Sequence, residues 1–112
     1  MKIVDVRKTQ PMPNPHKIKA VRLYDSDHAQ CIHLTLDAGE SLIAHITPVD
    51  VFFYVLEGNP TISIGEEKQS VCADNLVESP ANIPHCIYNE TDAPARILVV
   101  KVPKPTAPTK YV

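Results

Sequence analysis

The chain has 112 residues, a formal net charge of −2, 44% hydrophobic and 21% charged residues, the make-up of one globular domain with a modest core. No block of lysine or arginine marks a nucleic-acid or membrane-surface partner, and no apolar run approaches the ~20 residues of a membrane-spanning helix. Met1 to Lys8 lacks the apolar stretch of a signal peptide, and three cysteines, Cys31, Cys72 and Cys86, cannot all pair within one chain, so a cytoplasmic protein with free thiols is expected.

The chain opens on a proline-rich arm, residues 1–19, with Pro11, Pro13 and Pro15. His16 follows them, and with His28 further on it reads as a solvated loop residue. From residue 20 to 102 there is no helix pattern. Short β-type runs alternate with turn residues instead: Val21–Tyr24, Cys31–Leu36, Ser41–Thr47, Val51–Leu56, Thr61–Ile64, Gln69–Cys72, Leu76–Val77, His85–Asn89 and Arg96–Val102. Strands at this spacing predict an all-β sandwich or barrel. A second proline cluster, Pro103, Pro105 and Pro108, marks residues 103–112 as a tail. Proline lacks an amide donor, so neither cluster forms a central strand; both are expected as extended segments, the tail alternatively as a disordered one.

Alternation assigns faces. Ile32, Leu34 and Leu36 share one side of their strand, which sends His33 to the other, toward the surface or an interface. Val51–Leu56 and Ile97–Val100 are apolar without alternation, which implies burial on both faces. One face is the barrel interior, reached by Phe53, Val55, Ile62, Ile87, Ile97 and Val99. The other must be covered by the N-terminal arm or by a second subunit, and a homodimer is one of these two expectations.

Two histidines stand in patterned surroundings. His45 follows Gly39 and precedes Thr47, Asp50, Val51 and Gly58. His85 follows Asp74, Pro80 and Asn82 and precedes Asn89. Both stretches resemble the two signature motifs of the cupin family, and the resemblance covers about Gly39 to Asn89. It implies a cupin-type jelly roll of short antiparallel strands. In that family three histidines and a glutamate hold one metal ion in the barrel. His45 and His85 match two of the histidines; Thr47 stands at the third and Val51 at the glutamate. Asp74 and Asn82 stand at two motif glycines, and both residue types tolerate left-handed backbone.

The resemblance therefore implies an incomplete ligand set. His45 and His85 are the candidate metal ligands, with Asp50 as an added carboxylate if Pro48 shifts the strand register. Cys86 and Cys31 should face away. The expected cofactor is a divalent transition metal (zinc, iron, manganese, nickel or copper) or none. Ile32, Leu34, Thr47, Val51, Phe53, Val55, Ile87, Ile97 and Val99 are expected around an apolar pocket with the two histidines near its mouth. Three functions fit: a barrel that binds a small organic ligand, a metal or both; a metal-dependent enzyme of the dioxygenase, isomerase or lyase type; and an accessory dimer with a vestigial site. Whether there is catalysis stays open.

Overall fold

The computed structural model describes residues 1–112. In chain order the strands are β1 (Lys19–Asp25), β2 (Gln30–Leu36), β3 (His45–Ile46), β4 (Asp50–Glu57), β5 (Thr61–Ile64), β6 (Glu67–Ser70), β7 (Leu76–Ser79), β8 (His85–Tyr88), β9 (Ala95–Val102) and β10 (Lys110–Tyr111). They form two five-stranded sheets, ordered β1-β2-β9-β4-β7 and β10-β3-β8-β5-β6. The one helical element is a 3-10 turn at Val6–Lys8, whose first turn is held by the Asp5 carboxylate accepting from the Arg7 amide.

The inner faces meet in one core. On the first sheet the register places Ile32 beside Val99 and Leu34 beside Ile97, and then Phe53 beside Val99. Leu34, Phe53, Ile97 and Val99 join Leu36, Leu42, Ile62 and Ile87 in a single buried cluster, and Ile32 packs against it. The period-2 rule holds well in β4, where Val51, Phe53 and Val55 are buried and Phe52, Tyr54 and Leu56 are half-buried. The outward row is thus apolar and only half covered within one chain.

Several expectations shift. Ser41–Thr47 is not one strand: only His45 and Ile46 pair in a ladder, and Ser41 makes an isolated bridge to Tyr88. The β5–β6 hairpin is tighter than expected, since Ile64 pairs with Glu67 and only Gly65 and Glu66 turn. Gly65 has φ +59°, which a two-residue hairpin turn requires. The strand β1 begins at Lys19, one residue inside the expected arm. His33 does face away from Ile32 and Leu34, but it is buried rather than at the surface, at 1% exposure. The tail is ordered: Lys110 and Tyr111 pair with Ile46 and His45, as an edge strand free of proline.

Two turns follow from residue chemistry. Asp74 and Asn82, at glycine positions of the resemblance, have φ of 71° and 64°. Asn89 is 1% exposed and ties three segments together. Its amide donates to Leu36 O at 2.9 Å and Ala93 O at 2.8 Å, and its side-chain oxygen accepts from the Thr91 amide at 3.1 Å.

Candidate functional site

The two histidines lie directly opposite each other, His45 on β3 and His85 on β8. Their Nε2 atoms are 3.0 Å apart, and the rings meet edge to face with centroids at 4.4 Å. Phe53 packs on the His85 ring from the facing sheet, at 5.3 Å. The far nitrogens are also held. His45 Nδ1 lies 2.7 Å from Ile43 O, and His85 Nδ1 lies 2.6 Å from Ser79 Oγ. Thr47 Oγ1 stands 3.3 Å from His85 Nε2.

Proton positions follow from what each partner can do. A carbonyl only accepts, so His45 carries its proton on Nδ1 and its Nε2 is an acceptor. His85 must then donate from Nε2, and its Nδ1 accepts the Ser79 hydroxyl proton. The result is a one-directional chain: Ser79 to His85 to His45 to the Ile43 carbonyl. Burial, with the neighbouring His45 and Lys101 adding to it, lowers the His85 pKa to about 4. Burial also lowers His45, against the opposing hydrogen bond to Ile43. Both rings are neutral at pH 7.

His45 lines a cavity of about 150 Å³, and Ile32, Leu34, Phe53 and Val99 form part of its wall. His85, at 3% exposure, sits behind His45 rather than at the mouth. Thr47, Val51, Val55, Ile87 and Ile97 are all buried but belong to the packed interior, not to this cavity's lining. Asp50 is the clear correction. The β4–β9 ladder runs in register from Asp50 opposite Val102, its one irregularity lying at the far end between Val55 and Glu57. Pro48 therefore causes no shift. The Asp50 carboxylate is exposed and accepts from the Ala81 amide at 2.9 Å, so it does not complete the histidine pair. Cys86 faces away as expected, with its thiol on the Leu42 carbonyl at 3.2 Å.

Among the pocket residues that escaped the sequence reading are His16, Tyr111 and Lys101. His16 is not a solvated loop residue. The Asn14 side chain donates to Met12 O at 3.1 Å and Ile18 O at 2.8 Å, which folds the arm onto the barrel mouth. His16 Nδ1 then accepts from the Ile43 amide at 2.7 Å, with its ring 5.1 Å from His45. Tyr111 of the tail packs on both rings, at 5.7 Å and 5.9 Å. Lys101 follows Ile97 and Val99 on the inward side of β9 and reaches the same cavity. That period was readable in the sequence; the docking of the arm and tail was not.

A larger, open groove of about 1190 Å³ runs between the β5–β6 hairpin and β7, bordered by Ile64, Leu76 and Ile83 and by acidic side chains such as Glu66 and Glu78. It lies away from the histidines, and its charged lining is Glu66, Glu67, Lys68, Asp74 and Glu78. The smaller cavity is the candidate site, because polar groups of different kinds converge there on an apolar wall.

For a metal the fit is partial. Two Nε2 atoms 3.0 Å apart lie within the span of one ion bonded at 2.0–2.1 Å to each. Both Nδ1 atoms have the outer partners that metal-bound imidazoles use. Bridging would require His85 to move its proton to Nδ1, which the Ser79 hydroxyl permits by turning from donor to acceptor. No third His, Cys, Asp or Glu joins the pair, so the protein offers two imidazoles and the Thr47 hydroxyl.

Two packed sheets closing around a histidine pair define a double-sheet jelly-roll barrel. The cupin domain family matches residues 32–101, and the chain belongs to it. An uncharacterized protein of Methanocaldococcus jannaschii is 26% identical over 102 residues, which span 89% of this chain and 88% of that one. The crystal structure of the Thermus thermophilus protein TT1209 is similar with a TM-score of 0.80 and 29% identity, over 94% of this chain and all of that one. The polyketide cyclase RemF of Streptomyces resistomycificus shares the fold, with a TM-score of 0.85 at 20% identity over 100% of this chain and 85% of that one. No helix is long and apolar enough to cross a membrane.

Proposed function

We propose that this cupin binds a small organic ligand in the cavity beside His45, with His45 fixed in its wall and His85 behind it. The observation that carries the reading is the convergence of His45, His16, Lys101 and Tyr111 on one apolar cavity of about 150 Å³, a volume in which an engineered apolar site holds benzene. The neutral relay from Ser79 to Ile43 fixes His45 in one orientation, so its ring is a preset part of the pocket wall and needs little ordering on binding. Calorimetric titration with benzyl alcohol tests it. Saturable one-to-one binding that is lost in Ala20→Leu, which fills the cavity, is expected. No saturable binding to the wild type contradicts it.

A second reading adds a divalent transition metal on His45 and His85. It is favoured by the 3.0 Å Nε2 spacing with both Nδ1 atoms held. Such a metal supplies Lewis-acid polarisation of a bound ligand, and with two imidazoles its affinity falls below that of a full ligand set. Elemental analysis of untagged protein is the test: stoichiometric metal lost on His45→Ala/His85→Ala supports it, and metal-free native protein removes it. We also propose a homodimer that covers the half-buried outward row of Phe52, Leu98 and Val100. Light scattering that gives a 12.4 kDa species would refute it.

A further inference from the structure

Lys101 is the one Lys, Arg, Asp or Glu that lines the cavity, and the histidine pair does not use it. It stands opposite Val51 in the β4–β9 register, on the inward face, and is half-buried. The five ion pairs of the protein employ other cations: Arg7, Arg22, Lys68, Arg96 and Lys104. Nothing in the fold accepts a hydrogen bond from its Nζ. Burial and the charge of Arg22 both depress its pKa, and no partner opposes them. The chain carries 13 carboxylates against 11 basic side chains, so a counter-ion was available to it and none was placed there. A half-buried ammonium without an anion has lost part of its hydration with nothing in the fold to replace it, and an anionic ligand would offset that loss.

The surroundings agree. The Ile43 amide donates to His16 Nδ1 at 2.7 Å, so His16 keeps its proton on Nε2 and adds a neutral donor to the cavity. No carboxylate lines the cavity to repel an anion. The remaining wall, with Ile32, Leu34, Phe53 and Val99, is apolar.

We propose that the cavity ligand is a small monocarboxylate with a ring-sized apolar body, its carboxylate on the Lys101 ammonium and its body against Leu34 and Phe53. The inference rests on the reading of this cavity as a ligand site and goes beyond it by naming the charge and the group that recognises it. A charge-assisted hydrogen bond is shorter and about twice as strong as a neutral one, so charge should show as a clear preference between two probes of one shape.

Benzoate and the neutral benzamide are such a pair. Calorimetric titration of the wild type, Lys101→Met and Lys101→Arg, with the His16 and His45 ring protons followed by NMR, reads the outcome. Benzoate is expected to bind wild type one-to-one and about tenfold or more tighter than benzamide. Lys101→Met should abolish that preference and keep benzamide binding, and Lys101→Arg should retain the preference. Equal affinity for the two probes, or a preference that survives Lys101→Met, overturns the carboxylate assignment and leaves the pocket reading standing. If Lys101→Met does not fold, the wild-type ratio and Lys101→Arg decide. Failure of both probes to bind wild type overturns the inference and, together with failure of benzyl alcohol, the pocket reading itself.

Discussion

His85 makes stability depend on pH in a defined direction. Its folded pKa is lowered from 6.5 to about 4, by burial first and then by the charges of His45 and Lys101. The unfolded chain thus takes up a proton near pH 6.5 that the folded chain refuses until about pH 4. Above 6.5 the histidine is neutral in both states, and the stability of the fold is undiminished by this group. As pH falls from 6.5 toward 4 the unfolded state gains, and stability is lost progressively. At about 1.36 kcal/mol per pH unit, the gap between 6.5 and about 4 amounts to a loss of about 3 kcal/mol, a large share of the ~5–15 kcal/mol that holds a domain. The 3% exposure of His85 leaves little solvent screening to reduce it. Urea unfolding of wild type and His85→Gln at pH 7.5, 6.5, 5.5 and 4.5 reads the effect; these pH values are conditions of the assay, roughly spaced to bracket the titration. The wild type should lose stability more steeply than the variant across this range. Equal slopes in both proteins, or a His85 ring that titrates near 6.5 by NMR, would refute the reasoning.

Other substitutions test the frame. Asn89→Ala removes the donors to Leu36 O and Ala93 O and the acceptor of the Thr91 amide, the first bond buried and the other two part-buried; at about 1–3 kcal/mol for each group left unpaired, with the part-buried ones at the low end, urea unfolding should show a loss of at least about 3 kcal/mol. Gly58 and Gly39 share positive φ, +85° and +81°, yet a Cβ at Gly58 would lie 2.6 Å from Pro94 O and one at Gly39 meets nothing within 4 Å. Gly39→Ala should therefore cost only the backbone term of about 1 kcal/mol, and Gly58→Ala should cost at least about 2 kcal/mol. Equal losses at the two positions in thermal unfolding would contradict the packing at Gly58.

The barrel and its histidine pair were legible because both rest on local rules. Period-2 alternation set the inward faces of β2, β4 and β9, and the spacing of the resemblance set His45 against His85. Asp74 and Asn82 took up the left-handed backbone that their residue type allows. What escaped depends on contacts between segments distant in the chain. His16 joins the pocket through Asn14, which bends the arm with two side-chain hydrogen bonds, and no periodicity in the arm announces that bend. Tyr111 enters because a proline-free pair of tail residues adds an edge strand to β3. His33 obeys alternation and is buried all the same, with Arg96 donating to its Nε2 at 3.1 Å, because alternation assigns a face and not its cover. Lys101 was within reach of the sequence reading: Ile97, Val99 and Lys101 fall on one face, and a lysine at an inward position is rare enough to mark a site.

The central claim is that ligand binding occurs beside His45. The most direct measurement is NMR of the protein titrated with benzyl alcohol, following the His16, His45 and Phe53 rings together with Ile64 and Leu76 of the open groove. Saturable shifts confined to His16, His45 and Phe53 are the predicted result. Shifts confined to Ile64 and Leu76, with the histidine rings unmoved, would contradict the account.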